Sequence, residues 1–299
     1  TNGAIIAKTV DGLDLLKGLD KNWGVRLNGG YSSNDGHTYG ASVFGRAGNF
    51  DGLFSYSRND ENNYKPGKGY TNIDGGDTVP YSALDKRSYL AKLGASFGDH
   101  RFVLSRMQDQ HRGNRLVREE FTVSDGRLTL ARQAPAYRET TLENNNFEWT
   151  AQDLGFVDKL TANAYLMKNK RYSADDSGNG YAGNVAGPTE TTITTKGTNV
   201  GLDSRIGGHT LLKYGVNYRH QEIEPHTFFL SNLSNPKKID SGVYVEAIND
   251  IGDFTLTTGL RYDHFNLKAM DGKSASDGRF NPSFGLIWQP LDTLSFSAS

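Results

Sequence analysis

The sequence contains no cysteine, which excludes disulfide scaffolds, thiolate metal centres and cysteine nucleophiles together and leaves the compartment open. It has no apolar run of about 18 residues, so helices do not carry it across a membrane. It has no basic excess either: 33 Lys and Arg face 34 Asp and Glu, a net charge of -1. Without that excess there is nothing to neutralise a phosphate backbone, and nucleic acid is excluded as a partner. HExxH, GxSxG, P-loop and dinucleotide patterns are missing, so no enzyme class has support. The opening TNGAIIAKTV carries no charged and apolar leader, and the first residue is not expected to be the native start. Apolar residues make up only 36% of 299 positions, and mean hydropathy is -0.60. That is little for one large buried core.

Glycine (35), tyrosine (15) and phenylalanine (15) are abundant instead, and apolar residues recur at every second position. Period-2 patterning predicts strands near 22–33, 37–47, 49–58, 87–97, 100–110, 137–151, 156–171, 192–204, 209–222, 240–250, 253–266, 280–289 and from 293 onward. No stretch reads as an amphipathic helix of useful length. After a first hairpin with its tip at 34–36, short turns (47–49, 98–100, 152–155, 205–208, 251–253, 290–292) alternate with long loops (59–86, 111–136, 172–191, 223–239, 267–279). Seven of eight prolines fall in these connections, and Pro282 falls at a strand start, as expected of a residue that cannot donate to a ladder.

The two faces of each strand differ. Trp23, Val25, Leu27 and Tyr31 share one side, as do Phe50 with Tyr56, Tyr89 with Phe97, and Phe254 with Tyr262. Tryptophan and phenylalanine sit toward the short turns, tyrosine toward the long loops. Eight residues at about 3.3 Å each, tilted by about 40°, cover roughly 20 Å, close to the apolar band of roughly 25 Å between the aromatic girdles of a membrane barrel. The opposite side carries Arg26, Asn28, Lys92, Arg101, Arg261 and Asp263, charges that a dry protein core does not hold unpaired. The apolar side is therefore expected to meet lipid, and the polar side a wet or protein-filled lumen. Segments 137–151 and 240–250 alternate weakly and do not fix a direction.

Several stretches resemble a known family. GAIIAKT at 3–9 is similar to the strand that closes the plug of TonB-dependent outer-membrane receptors, and TLTTGLRYDHF at 255–265 with NPSFGLIWQPLDTLSFSAS at 281–299 resembles their later barrel strands. DKNWGVRLNGGYSSN, VPYSALDKRSYLAKLG, MQDQHRGNRLVREEF, RQAPAYRETT and RYSADDSGNGYAGN look like the FrpB/FetA-type branch, iron-regulated receptors associated with ferric enterobactin. The resemblance implies an all-β, antiparallel transmembrane β-barrel of about 22 strands around an N-terminal plug, in the Gram-negative outer membrane and energised through TonB. On that expectation residues 1–10 are the final plug strand, 11–21 the connection, and 22–299 the first part of the barrel, about 13 strands of a longer chain. On the same expectation the segment that contacts TonB does not fall within these residues.

The implied cargo is a ferric siderophore, with a catecholate such as enterobactin as the leading candidate. Haem or another iron source, a passive porin, and an outer-membrane enzyme or adhesin are the competing readings. A bulky aromatic anion calls for cations and aromatic faces. The long loops offer Tyr64, Lys65, Lys68 and Tyr70 in one group, His111, Arg112, Arg115 and Arg118 in a second, and Lys170, Arg171 and Tyr172 in a third. The second group reads equally as loop solubility, or as pairing with Glu119, Glu120 and lipopolysaccharide phosphates. Outer-membrane lipid and lipopolysaccharide are the expected surroundings. DDSGNG at 175–180 lacks spaced calcium ligands and reads as a turn. His220 and His226 read as solvated or structural, so no metal centre, cofactor or catalytic residue is expected.

Overall fold

An apolar residue at every second position of a strand builds one continuous apolar face, whatever lies between the strands. The computed structural model, which describes residues 9–71, 75–115, 122–124, 127–129, 136–174, 188–226 and 235–299, has this arrangement. One helix, α1 (Gly12–Leu16), precedes β1 (Trp23–Ser32), β2 (Gly36–Ala47), β3 (Phe50–Glu61), β4 (Leu84–Phe97) and β5 (His100–Arg115). A small hairpin of β6 (Thr122–Ser124) and β7 (Arg127–Thr129) follows, then β8 (Ala136–Leu154), β9 (Val157–Ser173), β10 (Thr189–Ile206) and β11 (Thr210–His226). The chain continues with β12 (Lys237–Ile251), β13 (Phe254–Lys268), β14 (Ser274–Leu291) and β15 (Leu294–Ala298). All strands except β6 and β7 join one 13-stranded sheet in chain order, with antiparallel pairing in each register described, such as Val25↔Val43 and Val245↔Leu260.

The short turns stand where the sequence puts them. Gly48 (φ 58°) and Gly252 (φ 59°) occupy the left-handed region at two of them, a conformation that costs an L-residue roughly 1–2 kcal/mol. The long loops are shorter than expected. β5 runs to Arg115, β11 to His226 and β14 back to Ser274, which leaves only 269–273 between β13 and β14. Beyond the tyrosines both faces turn polar and the periodicity fades, yet backbone pairing needs no periodicity to continue. For the same reason Pro282 and Pro290 lie within β14 rather than at its ends. Pro290 falls in the bulge between Trp288 and Leu291, where a missing N–H is tolerated, and Pro282 stands opposite Leu260 of β13.

The chain forms two compact units. The first comprises Thr1–Ala95, Leu104–Glu143 and Asn169–Glu190. Its apolar face carries Leu27 (78% exposed), Val43, Phe54 and Leu93 (58%), with Phe54 opposite Ala91 and Tyr56 opposite Tyr89. Its polar face holds a small core in which Leu16 of α1 packs on Phe44 and Leu53, flanked by Leu15 and Leu90. Beside it the Lys92 ammonium donates to Asp11 Oδ1 (2.9 Å) and to the Thr9 carbonyl (3.0 Å). The expected plug strand at 1–10 lies outside the described residues except for Thr9 and Val10, which are not in a strand.

The second unit comprises Ser96–Val103, Asn144–Lys168 and Thr191–Ser299. Its apolar face exposes Val216, Val243, Val245, Leu260 and Phe284, so β12, unreadable from sequence, is oriented by Val243 and Val245. β8 is oriented in the same way, since Trp149 stacks on Phe102 at 6.1 Å. A second aromatic row near the short turns runs Phe254, Trp288, Phe296, with centroids 6.0 and 5.4 Å apart.

Candidate functional site

The polar face of the second unit is an ordered array of side chains. Asn146 on β8, Asn163 on β9, Asn199 on β10 and Asn217 on β11 each occupy a polar-face position, and their carboxamides form a ladder. Asn217 donates to Asn199 (2.8 Å), Asn199 to Asn163 (3.0 Å), Asn163 to Asn146 (3.2 Å), and Asn146 to the Glu148 carboxylate (3.3 Å). At the other end Arg261 Nη2 donates to the Asn217 carbonyl at 2.9 Å. Every amide thus points its N–H away from a guanidinium and toward a carboxylate, a direction in which successive bonds polarise one another.

Arg261 on β13 reaches Asn217 on β11 by crossing β12 at Gly242. Gly242 is the register partner of both Asn217 and Asp263, and a Cβ there would lie 2.5 Å from Arg261 Nη2. The same guanidinium donates through Nε to both oxygens of Asp263, at 2.8 and 2.9 Å, and lies 5.6 Å from the Tyr244 ring centroid. Among the described residues, Nη1 is the nitrogen these contacts leave over.

On the long-loop side of the ladder a cleft of about 430 Å³ is lined by Arg219, Lys238, Asp240, Arg261, Asp263 and Phe265, with Tyr165 at its margin. Asp240 is shared at long range by Arg219 (3.5 Å) and Lys238 (3.6 Å). Arg279 faces Asp263 across the β13–β14 pair and lines an adjoining cleft of about 300 Å³. Four cations therefore meet three carboxylates, Asp240, Asp263 and, in the adjoining cleft, Asp277, beside aromatic rings. Such a surface can receive hard oxygen anions carried on an aromatic body.

The residues picked from sequence are placed elsewhere. Tyr64, Lys65, Lys68 and Tyr70 lie in the connection between β3 and β4, where the Tyr64 carbonyl accepts the Val79 N–H (2.9 Å) and Lys65 pairs with Asp77 at 3.1 Å. His111, Arg112 and Arg115 are not in a loop, because β5 extends through them. Alternation puts Arg112 on the side of exposed Leu104 and sends neighbouring His111 the other way, so these two do not form one patch. Lys170, Arg171 and Tyr172 belong to β9, which separates Arg171 from its two neighbours. Tyr172 packs edge-on against Tyr137, centroids 6.5 Å apart. Arg118 and the Arg115 side chain lie outside the described residues. Arg261 and Asp263 were legible as polar-face charges. Arg219, Lys238, Arg279 and the asparagines were not, since their proximity follows from the register of separate strands.

A family model described as TonB dependent receptor-like, beta-barrel matches residues 93–299. The chain is 64% identical to the FrpB iron transporter from Neisseria meningitidis (F3-3 variant), with a TM-score of 0.93 over 99% of this chain and 48% of that one. The F5-1 variant of the same transporter gives 61% identity and a TM-score of 0.92, over 99% of this chain and 49% of the other. The Serratia marcescens hemophore receptor HasR shares the fold at 17% identity, with a TM-score of 0.71 over 94% of this chain and 45% of that one. No curated protein matches. The chain spans about half the length of the solved structures it matches.

Proposed function

This chain belongs to the TonB-dependent receptor β-barrel family, and from that premise we propose that it supplies part of the wall of an outer-membrane receptor that imports iron as a ferric, anionic chelate. Proteins of this family are outer-membrane transporters, not enzymes. The observation that carries the reading is the cationic cleft on the polar face: Arg219, Lys238, Arg261 and Arg279 supply charge, and Phe265 and Tyr165 supply ring faces. A ferric catecholate such as ferric enterobactin has the matching chemistry, with negative oxygens around the metal and rings outside them. The description of the N. meningitidis relatives as iron transporters supports the same direction.

On this reading residues 1–10 end a plug, residues 11–21 connect it to the wall, and the remainder is barrel. The contacts of Lys92 with Thr9 and Asp11 support a chain entering along the polar face. TonB supplies energy through segments beyond this chain. Lipopolysaccharide surrounds the long-loop end, where Arg58 and Arg87 stand opposite each other just past Tyr56 and Tyr89 on the apolar face and share the Asp85 carboxylate at 3.4 and 3.6 Å. The candidates Tyr64, Lys65, Lys68 and Tyr70, together with His111, Arg112, Arg115, Arg118, Lys170, Arg171 and Tyr172, are proposed as further ligand contacts in their own right.

The test is iron-limited growth of a strain carrying the full-length receptor, with ferric enterobactin as sole iron source. Growth is expected with the unmutated receptor, and at least a tenfold lower uptake rate when Arg219, Lys238 and Arg261 are all replaced by Gln. Uptake unchanged in the triple variant removes the cleft. Failure of the unmutated receptor on ferric enterobactin, with growth on another iron source, removes the catecholate.

A further inference from the structure

A guanidinium on a flexible stem is a poor recognition element unless something else holds it, because its rotamer freedom is lost at each binding event. In this wall Asp263 on its own strand and Asn217 on β11 hold that of Arg261, and Asn217 is in turn held by residues on three further strands. We propose that the asparagine ladder is a positioning device: Asn146, Asn163, Asn199 and Asn217, anchored at Glu148, fix Arg261 so that Nη1 is presented to an anionic ligand in the adjoining cleft. The proposal rests on the reading of that cleft as the ligand site and adds what makes Arg261 specific within it.

Three observations point the same way. The ladder has one polarity along its length, from guanidinium donor to carboxylate acceptor. Each carboxamide accepts at Oδ1 and donates at Nδ2, so the guanidinium at one end and the carboxylate at the other fix the direction of the whole row. The strand between Arg261 and Asn217 carries glycine at the crossing point, where any Cβ would meet the guanidinium. Finally, the bonds occupy Nε and Nη2 and leave Nη1 over. Asp263 balances the charge without covering that nitrogen. Arg219 and Lys238 differ: they share one carboxylate at 3.5 and 3.6 Å, and among the described residues no amide array holds them. They attract an anion, whereas Arg261 selects where its oxygen sits.

A positioning role acts through Arg261 and must vanish when Arg261 is gone. The experiment is a double-mutant cycle in the full-length receptor, with Asn217→Ala, Arg261→Gln and the pair, read as the affinity for ferric enterobactin by fluorescence quenching. Heat-modifiable mobility on gels checks that each variant is a folded barrel. Asn217→Ser, which keeps a hydroxyl donor and acceptor, is the conservative variant. Expected are a five- to twentyfold loss for Arg261→Gln, a three- to tenfold loss for Asn217→Ala, partial recovery with Asn217→Ser, and less than a twofold further loss when Asn217→Ala is added to Arg261→Gln. An equal loss from Asn217→Ala in both backgrounds, or no loss in either, overturns the ladder while leaving the cleft in place. Unchanged affinity in Arg261→Gln overturns the role of the cleft and the ladder with it.

Discussion

At the residue scale, small groups decide where large charges go. Gly242 leaves the opening through which Arg261 crosses β12, so Gly242→Ala, whose Cβ would fall 2.5 Å from Nη2 and 2.6 Å from Asp263 Oδ1, is expected to push the guanidinium off Asn217. Ligand affinity in the full-length receptor should fall by about the same factor as in Asn217→Ala, with barrel folding intact by the gel-shift assay. Lys92 illustrates the converse case of a buried charge that depends on its partner: its side chain is 5% exposed and that of Asp11 10%. Lys92→Met removes the cation that pairs with the buried Asp11 carboxylate, a change of the kind that costs up to roughly 3–5 kcal/mol, while Lys92→Met with Asp11→Asn removes both charges, keeps a capping side chain at the start of α1 and should restore much of the loss. Hydrogen exchange of residues 9–16 reads the difference. Protection lost equally in the single and double variants would exclude electrostatic anchoring. Asp14 adds a pH dependence. Its carboxylate accepts the Asp11 N–H at 2.9 Å, and this bond holds its pKa below the usual 3.8. A depressed folded pKa gives a contribution that is fully present above the unfolded value and is lost as pH falls through the folded one. Protection of α1 should accordingly be flat from pH 7 to 5 and decline below about pH 4.

At the element scale, each strand serves two solvents. Leu93 lies midway between Tyr89 and Phe97 on the apolar face and is 58% exposed, whereas Ser57 on the polar face faces Ser88 across the β3–β4 pair. Leu93→Arg is expected to cost about 2–4 kcal/mol in lipid and Ser57→Arg close to nothing. Urea unfolding of the full-length receptor in phospholipid vesicles compares them, and equal effects would contradict the assignment of faces. Alternation was readable because lipid imposes a strict two-residue period on every strand it touches. It faded in β8 and β12, whose apolar faces mix in residues such as Asn249, and pairing with β13 was needed to orient β12. Strand ends were misjudged for a related reason. Past the tyrosines water lies on both sides, and nothing in residue order marks where pairing stops.

At the scale of the whole molecule, the side chains of the described residues build a small core around Leu16, Phe44 and Leu53; elsewhere among them the contrast between the faces does the organising. The sequence by itself determined the thirteen strands of the main sheet, the short turns and, in strands other than β8 and β12, the side that meets lipid, because these depend on neighbours within one strand and on turn chemistry. It did not determine the site. The candidates drawn from sequence were runs of nearby cations, and a strand sends adjacent residues to opposite faces, as with His111 and Arg112. Only the tertiary structure brought Asn146, Asn163, Asn199, Asn217 and Arg261 into one row. Their contact depends on the register between strands separated by loops whose lengths carry no register information, and on a glycine at the one crossing point where a side chain would have closed it.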